Sequence, residues 1–179
     1  SQQLSGILNA VDDTVWNPER DALIAHSYDV RHMVGKAQNK ALLQADMGLA
    51  VEPDAPLFAV VSRLTEQKGL PLVLAAVDEI VSRGGQLLVL GSGETWLEQA
   101  FVAQARDHAG RVAVKLGYDE AFAHRIFAGS DVTLVPSRFE PCGLTQMYGL
   151  KYGSLPLVRR VGAVFYTHLR AHETSLHLV

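Results

Sequence analysis

The sequence predicts an α/β fold in which a parallel β-sheet is covered by helices on both faces, in the Rossmann-like manner. Short apolar runs of four or five residues recur between positions 57 and 158, and a stretch with helical spacing follows each of the first four. The runs are apolar throughout instead of alternating, which is typical of strands buried on both faces of a sheet. Turns rich in Gly and Pro separate many of these segments, so strands and helices alternate along the chain.

The individual elements follow from this alternation. Predicted strands cover residues 57–61, 86–90, 112–116, 132–135 and 155–158. Predicted helices cover residues 29–47, 70–81, 94–108, 119–127 and 143–152. Gly48 ends the first helix, because glycine readily adopts the left-handed conformation found after helix termini. Residues 1 to about 27 carry few periodic signals, and we expect them to form an ordered connecting segment. The charged residues at positions 19–21 of this segment are expected to be solvated.

Composition narrows the classes of function. The 179 residues carry a formal net charge of −3 and are 48% hydrophobic, so the chain can bury a sizeable core and differs from disordered chains. This balance disfavours a strongly basic nucleic-acid binder. No stretch is apolar for the roughly 18 residues of a membrane span, and the first residues show no secretory leader, so a cytoplasmic location away from membranes is expected. A single cysteine excludes an intrachain disulfide framework, and the histidine spacing suggests no metal site.

Four segments are expected to meet at one edge of the sheet. The carboxyl ends of parallel strands lie together there, and ligands of such sheets bind at that edge. The segments that follow the first four strands are 62–69, 91–95, 117–120 and 136–145. They also have the least ordinary composition in the chain, which makes them the candidates for a binding site.

The first three segments carry different signals. Arg63 and Lys68 place two cations between a strand and a helix, where they could neutralise a diphosphate without a metal; a solvated polar loop is the alternative. The glycine turn at 91–93 invites a dinucleotide fingerprint, but Trp96 stands where a third Gly or Ala is required, which argues against a dinucleotide-dependent oxidoreductase. Tyr118 follows a strand directly and could stack on a base or sugar, or pack on the next helix.

The fourth segment combines a helix start with a carboxylate and a thiol. The N–H groups of Gly143, Leu144 and Thr145 are expected at the first turn of a helix, where unpaired donors and the helix dipole attract anions. Glu140 could accept hydrogen bonds from sugar hydroxyls or cap that helix. Cys142 has no base nearby in sequence, so a packing or backbone-contact role is favoured over a catalytic thiol.

Two of these segments resemble the family of bacterial glycogen synthases and plant starch synthases. The motifs that carry the resemblance are SRLTEQKGL at 62–70 and PSRFEPCGLTQMYGLKYGSLPLVRR at 136–160. Parts of 8–18 and 35–40 are similar to the family as well, so the resemblance covers residues 1 to about 162. It implies the C-terminal half of a two-domain GT-B glycosyltransferase. Such an enzyme moves glucose from ADP-glucose to the non-reducing end of an α-1,4-glucan and retains the anomeric configuration.

The resemblance also implies roles for the candidate residues. Arg63 and Lys68 match the residues that hold the donor diphosphate and stabilise the leaving group, and Glu140 matches the acid that contacts the donor glucose. Tyr118 matches the aromatic residue beside the adenine. The loop and helix start around glucose and phosphate are matched by Cys142, Gly143, Leu144 and Thr145. The family needs no metal or other cofactor, and an N-terminal domain, expected to be missing from this chain, contributes contacts to the glucan acceptor.

Three places depart from the family pattern. Ala10 stands where glycine is usual. Tyr148 stands where the broader glycosyltransferases have a second glutamate, eight positions after the first, which fits the glycogen and starch synthase branch. After Arg160 the usual Thr-Gly-Gly-Leu continuation is absent, and the last residues, VFYTHLRAHETSLHLV at 164–179, resemble translated sequencing-adapter read-through. Residues 164–179 are therefore predicted to be foreign to the fold, with a divergent C-terminal helix as the alternative.

The sequence thus predicts three parts. An interdomain connecting segment and first helix occupy 1–56, a truncated nucleotide-sugar-binding domain occupies 57–163, and the non-native tail follows. Because the partner domain would form the other wall of the cleft, the chain alone is expected to be inactive in glucan elongation. A stand-alone module that binds a nucleotide or nucleotide sugar without catalysis is the alternative function.

Overall fold

The computed structural model describes residues 11–140 and 143–159. The predicted tail at 164–179 and the predicted site residue Cys142 therefore lie outside the described residues. Five strands are present, namely β1 (Leu57–Val61), β2 (Gln86–Gly91), β3 (Val112–Leu116), β4 (Val132–Val135) and β5 (Leu155–Val158). The helices are α1 (Val34–Asp46), α2 (Leu70–Ser82), α3 (Thr95–Asp107), α4 (Glu120–Gly129) and α5 (Leu144–Lys151). The strands agree with the prediction to within one residue.

All five strands form one parallel sheet in the order β3-β2-β1-β4-β5. A hydrophobic core lies on each face of the sheet. Successive residues of a central strand contribute to the two cores in turn, because their side chains point to opposite faces. Ala59 packs with residues of α1 and α4 on one face, whereas its neighbour Val60 packs with residues of α2 and α3 on the other. A parallel sheet covered on both faces confirms the predicted fold class.

The first helix begins later than predicted. Asp29, the expected start, lies in a turn in which its carboxylate accepts hydrogen bonds from the backbone N–H groups of Arg31 and His32, at 2.7 and 2.9 Å. An aspartate that binds nearby backbone donors in this way competes with helix formation. Helix α1 consequently starts at Val34, while Gly48 adopts the predicted left-handed conformation with φ of +69° after its end.

Two buried lysines fasten α1 to its neighbours in the fold. The ammonium group of Lys36 donates to four carbonyl oxygens at 2.9–3.3 Å, and these belong to Phe127, Ala128, Ser130 and Tyr152. Burial lowers the pKa of Lys36 to about 8. Lys40 donates to the carbonyl oxygens of Pro53 and Ala55 and to a carboxylate oxygen of Asp131. The two lysines therefore join α1 to the end of α4 and to the segments that lead into β1, β4 and β5.

The strand order places a crevice at the carboxyl edge of the sheet. β1 lies between β2 and β4, so the chain leaves β1 toward one side of the sheet and leaves β4 toward the other. The loops that follow these two strands diverge, and ligands of open α/β sheets bind at such a switch point.

Candidate functional site

Two adjoining cavities occupy the carboxyl edge of the sheet. The larger has a volume of about 470 Å³ and the smaller one of about 250 Å³. They share four lining residues: Val61, Ser62, Arg63 and Thr145. All four segments predicted to meet at this edge contribute residues to one or both cavities, so the sheet brings them together as expected from strand polarity.

The loop after β1 is held against the loop after β2 by backbone contacts. The N–H of Leu64 donates to the carbonyl of Ser92 at 2.9 Å, and the N–H of Glu94 donates to the carbonyl of Leu64 at 2.8 Å. A Cβ atom at Gly93 would lie 2.3 Å from the Leu64 carbonyl oxygen, so only glycine permits this approach. The glycines of this turn therefore allow the loop after β2 to pack closely against the loop after β1.

A second close contact joins the loop after β1 to the loop after β4. Gly69 has φ of +75°, and a Cβ atom there would lie 2.1 Å from the carbonyl oxygen of Pro136. The N–H of Arg138 also donates to the carbonyl of Gln67 at 2.9 Å. These contacts hold Lys68, which lies between Gln67 and Gly69, beside the loop that carries Glu140.

Lys68 and Glu140 form an ion pair in the smaller cavity. The ammonium nitrogen Nζ of Lys68 lies 2.8 Å from Oε2 of Glu140, and the Ser137 hydroxyl donates to the same oxygen at 3.0 Å. The two charged side chains are 19% and 14% exposed, so water screens the pair only in part. Both residues line the smaller cavity, so the two segments that carry them meet at the edge of the sheet where the sequence predicted.

Arg63 and Tyr118 lie at the open side of the cavities. Arg63 is exposed, lines both cavities, and forms no ion pair within residues 11–140 and 143–159. The Tyr118 ring is 86% exposed at the rim of the larger cavity, and its hydroxyl donates to Oε2 of Glu120 at 2.8 Å. That hydrogen bond raises the pKa of Tyr118 above its ordinary value. The aromatic face of Tyr118 is therefore available to a ligand.

The start of α5 points its first turn toward both cavities. Gly143 precedes the helix with φ of +66°, and no side chain of the described residues caps this terminus. Thr145 in the first turn lines both cavities, whereas Gly143 and Leu144 contribute backbone to the same turn without lining them. Arg63, Lys68 and the N-terminus of α5 thus lie around the two adjoining cavities. This arrangement is suited to a polyanionic ligand.

The inner wall of the larger cavity was not predicted from the sequence. Trp16 lines that cavity and stacks between the rings of His124 and Tyr148, with centroids 3.7 and 4.0 Å away. Asp21 was expected to be solvated with its neighbours, which is wrong: its Oδ2 accepts a bond from the Tyr152 hydroxyl and lies 2.6 Å from Nδ1 of His124. No periodic pattern could reveal these partners, because they are more than 100 residues apart in the chain.

The part of the chain that the structure describes offers neither a metal-binding cluster nor a membrane-crossing helix. Residues 11–140 and 143–159 contain no group of three or more His, Cys, Asp or Glu side chains placed to hold a metal ion. Within the same residues, no helix combines the length and the apolar character that crossing a membrane demands.

Comparison with known proteins assigns the family. The family model described as glycosyl transferases group 1 matches residues 55–175, which is more than half of the chain. This chain belongs to the group 1 glycosyltransferases. The match includes both cavities apart from Trp16.

The sequence is also similar to individual curated proteins. The chain is 63% identical over 173 residues to the glycogen synthase of Leptothrix cholodnii, covering 97% of this chain and 36% of that protein. It is 62% identical over 161 residues to the glycogen synthase of Edwardsiella ictaluri, covering 90% of this chain and 34% of that protein. The chain thus spans about a third of the length of the curated relatives it matches.

Solved structures of group 1 glycosyltransferases and their relatives support the fold. The catalytic domain of starch synthase IV from Arabidopsis thaliana, solved with ADP and acarbose, matches with a TM-score of 0.83 and 36% identity, covering 89% of this chain and 33% of that chain. The C-terminal domain of a group 1 family protein from Francisella tularensis matches with a TM-score of 0.56 and 17% identity, covering 86% and 72%. Both likenesses confirm the predicted Rossmann-like part of a GT-B fold.

Proposed function

We propose that this chain is the donor-binding part of a retaining glucosyltransferase of the glycogen synthase type. It binds ADP-glucose, whose glucose the whole enzyme transfers to the non-reducing end of an α-1,4-glucan. The observation that carries the proposal is the convergence of Arg63, Lys68 and the first turn of α5 on two adjoining cavities. Similarity to glycogen synthases supports the choice of reaction, and the ADP in the starch synthase neighbour supports the choice of nucleotide.

The proposed chemistry requires stabilisation of a leaving diphosphate. Transfer breaks the bond between C1 of glucose and the β-phosphate oxygen. An acceptor hydroxyl forms the new bond to C1, and its proton passes to an oxygen of the departing diphosphate. Negative charge therefore grows on ADP in the transition state, and groups that bind this charge more strongly there accelerate the step. The guanidinium of Arg63, the ammonium of Lys68 and the first N–H groups of α5 are assigned this role.

The two cavities divide the donor between them. A volume of about 470 Å³ is in the range of small-molecule sites, and we assign it to the nucleoside, with Tyr118 beside the base. The smaller cavity holds Lys68 and Glu140, and we assign it to the diphosphate and the glucose. Glu140 accepts hydrogen bonds from glucose hydroxyls, and its ion pair with Lys68 holds it in position. The first turn of α5, with Thr145, completes the contacts to glucose and phosphate.

Charge neutralisation by side chains and helix N–H groups makes a metal ion unnecessary in this proposal. No cofactor other than the substrate ADP-glucose is assigned. ADP affinity measured by titration calorimetry should therefore be the same in the presence of EDTA and of magnesium. A loss of ADP binding on chelation would contradict the assignment.

The partners of the proposed reaction are the nucleotide sugar, the glucan and a second domain. The acceptor glucan needs a wall facing the cavities, which we assign to an N-terminal domain of a longer parent protein. A cytoplasmic location stays a prediction. The 179-residue chain by itself is expected to bind ADP and ADP-glucose weakly and to incorporate no labelled glucose into glycogen.

A chimeric enzyme tests the function directly. Residues 11–159 replace the matching segment of the Leptothrix cholodnii glycogen synthase, and incorporation of labelled glucose from ADP-glucose into glycogen is measured. The chimera should be active, and an Arg63→Gln change in it should abolish most of that activity. An inactive but folded chimera that still binds ADP would instead support the alternative, a nucleotide-binding module without catalysis.

A further inference from the structure

Trp16 comes from the connecting segment before α1 and yet forms part of the cavity wall. Its ring is stacked between His124 of α4 and Tyr148 of α5, with interplanar angles of 14° on both sides. Trp16 is 8% exposed, and both Trp16 and Tyr148 line the larger cavity. A residue outside the sheet therefore touches both helices that lie on this face of the site.

Buried hydrogen bonds hold this stack from behind. Oδ2 of Asp21 lies 2.6 Å from Nδ1 of His124 and accepts a hydrogen bond of the same length from the Tyr152 hydroxyl. The Tyr28 hydroxyl in turn donates to the backbone carbonyl of Tyr152 at 2.8 Å. These side chains are almost fully buried, so each depends on its partner to satisfy its polar atoms. The network ties residues 16–28 to α4 and α5.

The stacking of Trp16 on Tyr148 constrains the orientation of α5, whose N-terminal turn faces the cavities. Thr145 and Tyr148 are three residues apart and so lie on the same side of this short helix, and both line the larger cavity. Fixing the ring of Tyr148 against Trp16 therefore fixes the rotation of α5 about its axis. That rotation decides whether the first turn, with Thr145, faces the cavity that also contains Arg63.

We propose that Trp16 is a positioning residue of the nucleotide site, which orients α5 through Tyr148 and closes the inner wall against the nucleoside of a nucleoside diphosphate. This inference rests on the proposed function, because it assigns the occupant of the larger cavity. It makes the connecting segment part of the donor site and not only a linker between domains. Asp21 and His124 act through Trp16 by holding its ring.

Fluorescence of the 179-residue chain tests the contact. The chain has two tryptophans, and Trp96 lies in the first turn of α3, 46% exposed and outside the lining of both cavities. In a Trp96→Phe variant, emission therefore reports Trp16 alone. Saturating ADP should shift or quench this emission by a clearly measurable fraction. An unchanged emission spectrum at saturating ADP, with binding verified by calorimetry, would overturn the proposal.

Affinity measurements separate positioning from mere packing. A Trp16→Leu variant, which keeps an apolar side chain but loses the flat ring, should bind ADP at least about tenfold more weakly, and Trp16→Phe should recover part of the affinity. Trp96→Phe should bind ADP as the unchanged chain does. Equal affinities in a folded Trp16→Leu chain would refute the role; if that variant does not fold, the fluorescence result decides. Failure of the unchanged chain to bind ADP would instead overturn the proposed function.

Discussion

Nζ of Lys68 lies 2.8 Å from Oε2 of Glu140, in the smaller cavity where a diphosphate and a sugar are proposed to bind. The two residues are 72 positions apart, and the close approach of Gly69 to Pro136 brings their loops together. In the proposed site, a diphosphate has to share the Lys68 ammonium with Glu140, so the carboxylate is expected to moderate the affinity for ADP and to contact the sugar.

Substitution of Glu140 should therefore have opposite effects on two ligands. Glu140→Gln removes the charge that competes for Lys68, so we expect ADP to bind severalfold more tightly. ADP-glucose should gain less affinity than ADP does, because an amide is a weaker acceptor than a carboxylate for sugar hydroxyls. Calorimetric titration of the two ligands measures both effects. Parallel weakening of ADP and ADP-glucose would show that Glu140 supports the loop and does not discriminate between the ligands.

Removal of Arg63 should weaken ADP binding through charge. Because Arg63 lines both cavities, Arg63→Gln should reduce ADP affinity by tenfold or more, and the dependence of affinity on salt concentration should become shallower. Arg106→Gln is the matched control, since Arg106 is an exposed residue of α3 that pairs with Asp107. The same loss of affinity in both variants would indicate a general effect of net charge.

Gly69 should be intolerant of a side chain. Gly69→Ala introduces left-handed strain of about 1–2 kcal/mol and in addition a Cβ atom 2.1 Å from the Pro136 carbonyl oxygen. The free energy of unfolding, measured by urea denaturation, should fall by more than this strain alone. Gly48→Ala is the control, because Gly48 has φ of +69° with open space around it. Equal losses in the two variants would rule out the loop contact as a source of stability.

Two buried tyrosines should make the fold less stable at strongly alkaline pH. Lys36 acts in the opposite direction, because its pKa is lowered to about 8 in the folded chain, so it favours folding as the pH rises from there toward its ordinary pKa of 10.5. Burial, and then the nearby Asp21 carboxylate, raise the pKa of both Tyr28 and Tyr152 above the ordinary value. In the unfolded chain these tyrosines lose their protons near pH 10, whereas the folded chain retains them, so unfolding is favoured as the pH rises above that value. The free energy of unfolding should be level from this cause below about pH 9 and should then fall.

A Tyr28→Phe variant isolates one contribution to this pH dependence. At neutral pH it loses the hydrogen bond to the Tyr152 carbonyl, which costs about 1 kcal/mol. Above about pH 10 its stability should fall less steeply than that of the unchanged chain, because one titrating group has been removed. Identical slopes in urea denaturation series across pH 8–11 would argue against the contribution of Tyr28.

The sequence was sufficient for the strands and for the grouping of the site segments. Strands such as Leu57–Val61 are apolar throughout, and this pattern follows directly from burial on both faces. The polarity of parallel strands then places their following loops at one edge, so the sequence alone groups Arg63, Lys68, Tyr118 and Glu140. The start of α1 was predicted too early, because the competition of the Asp29 carboxylate for backbone N–H groups has no periodic signature.

What the sequence determined by itself was the local and repetitive part of this protein: which segments are strands and helices, which loops lie at the carboxyl edge, and which family motifs those loops carry. Only the tertiary structure decided which side chains pair across the loops and what lines the inner wall. The partnership of Lys68 with Glu140, the burial of Asp21 and the stacking of Trp16 between His124 and Tyr148 all join distant segments. Periodicity reports the environment of a residue averaged over one element, whereas these contacts depend on how separate elements pack.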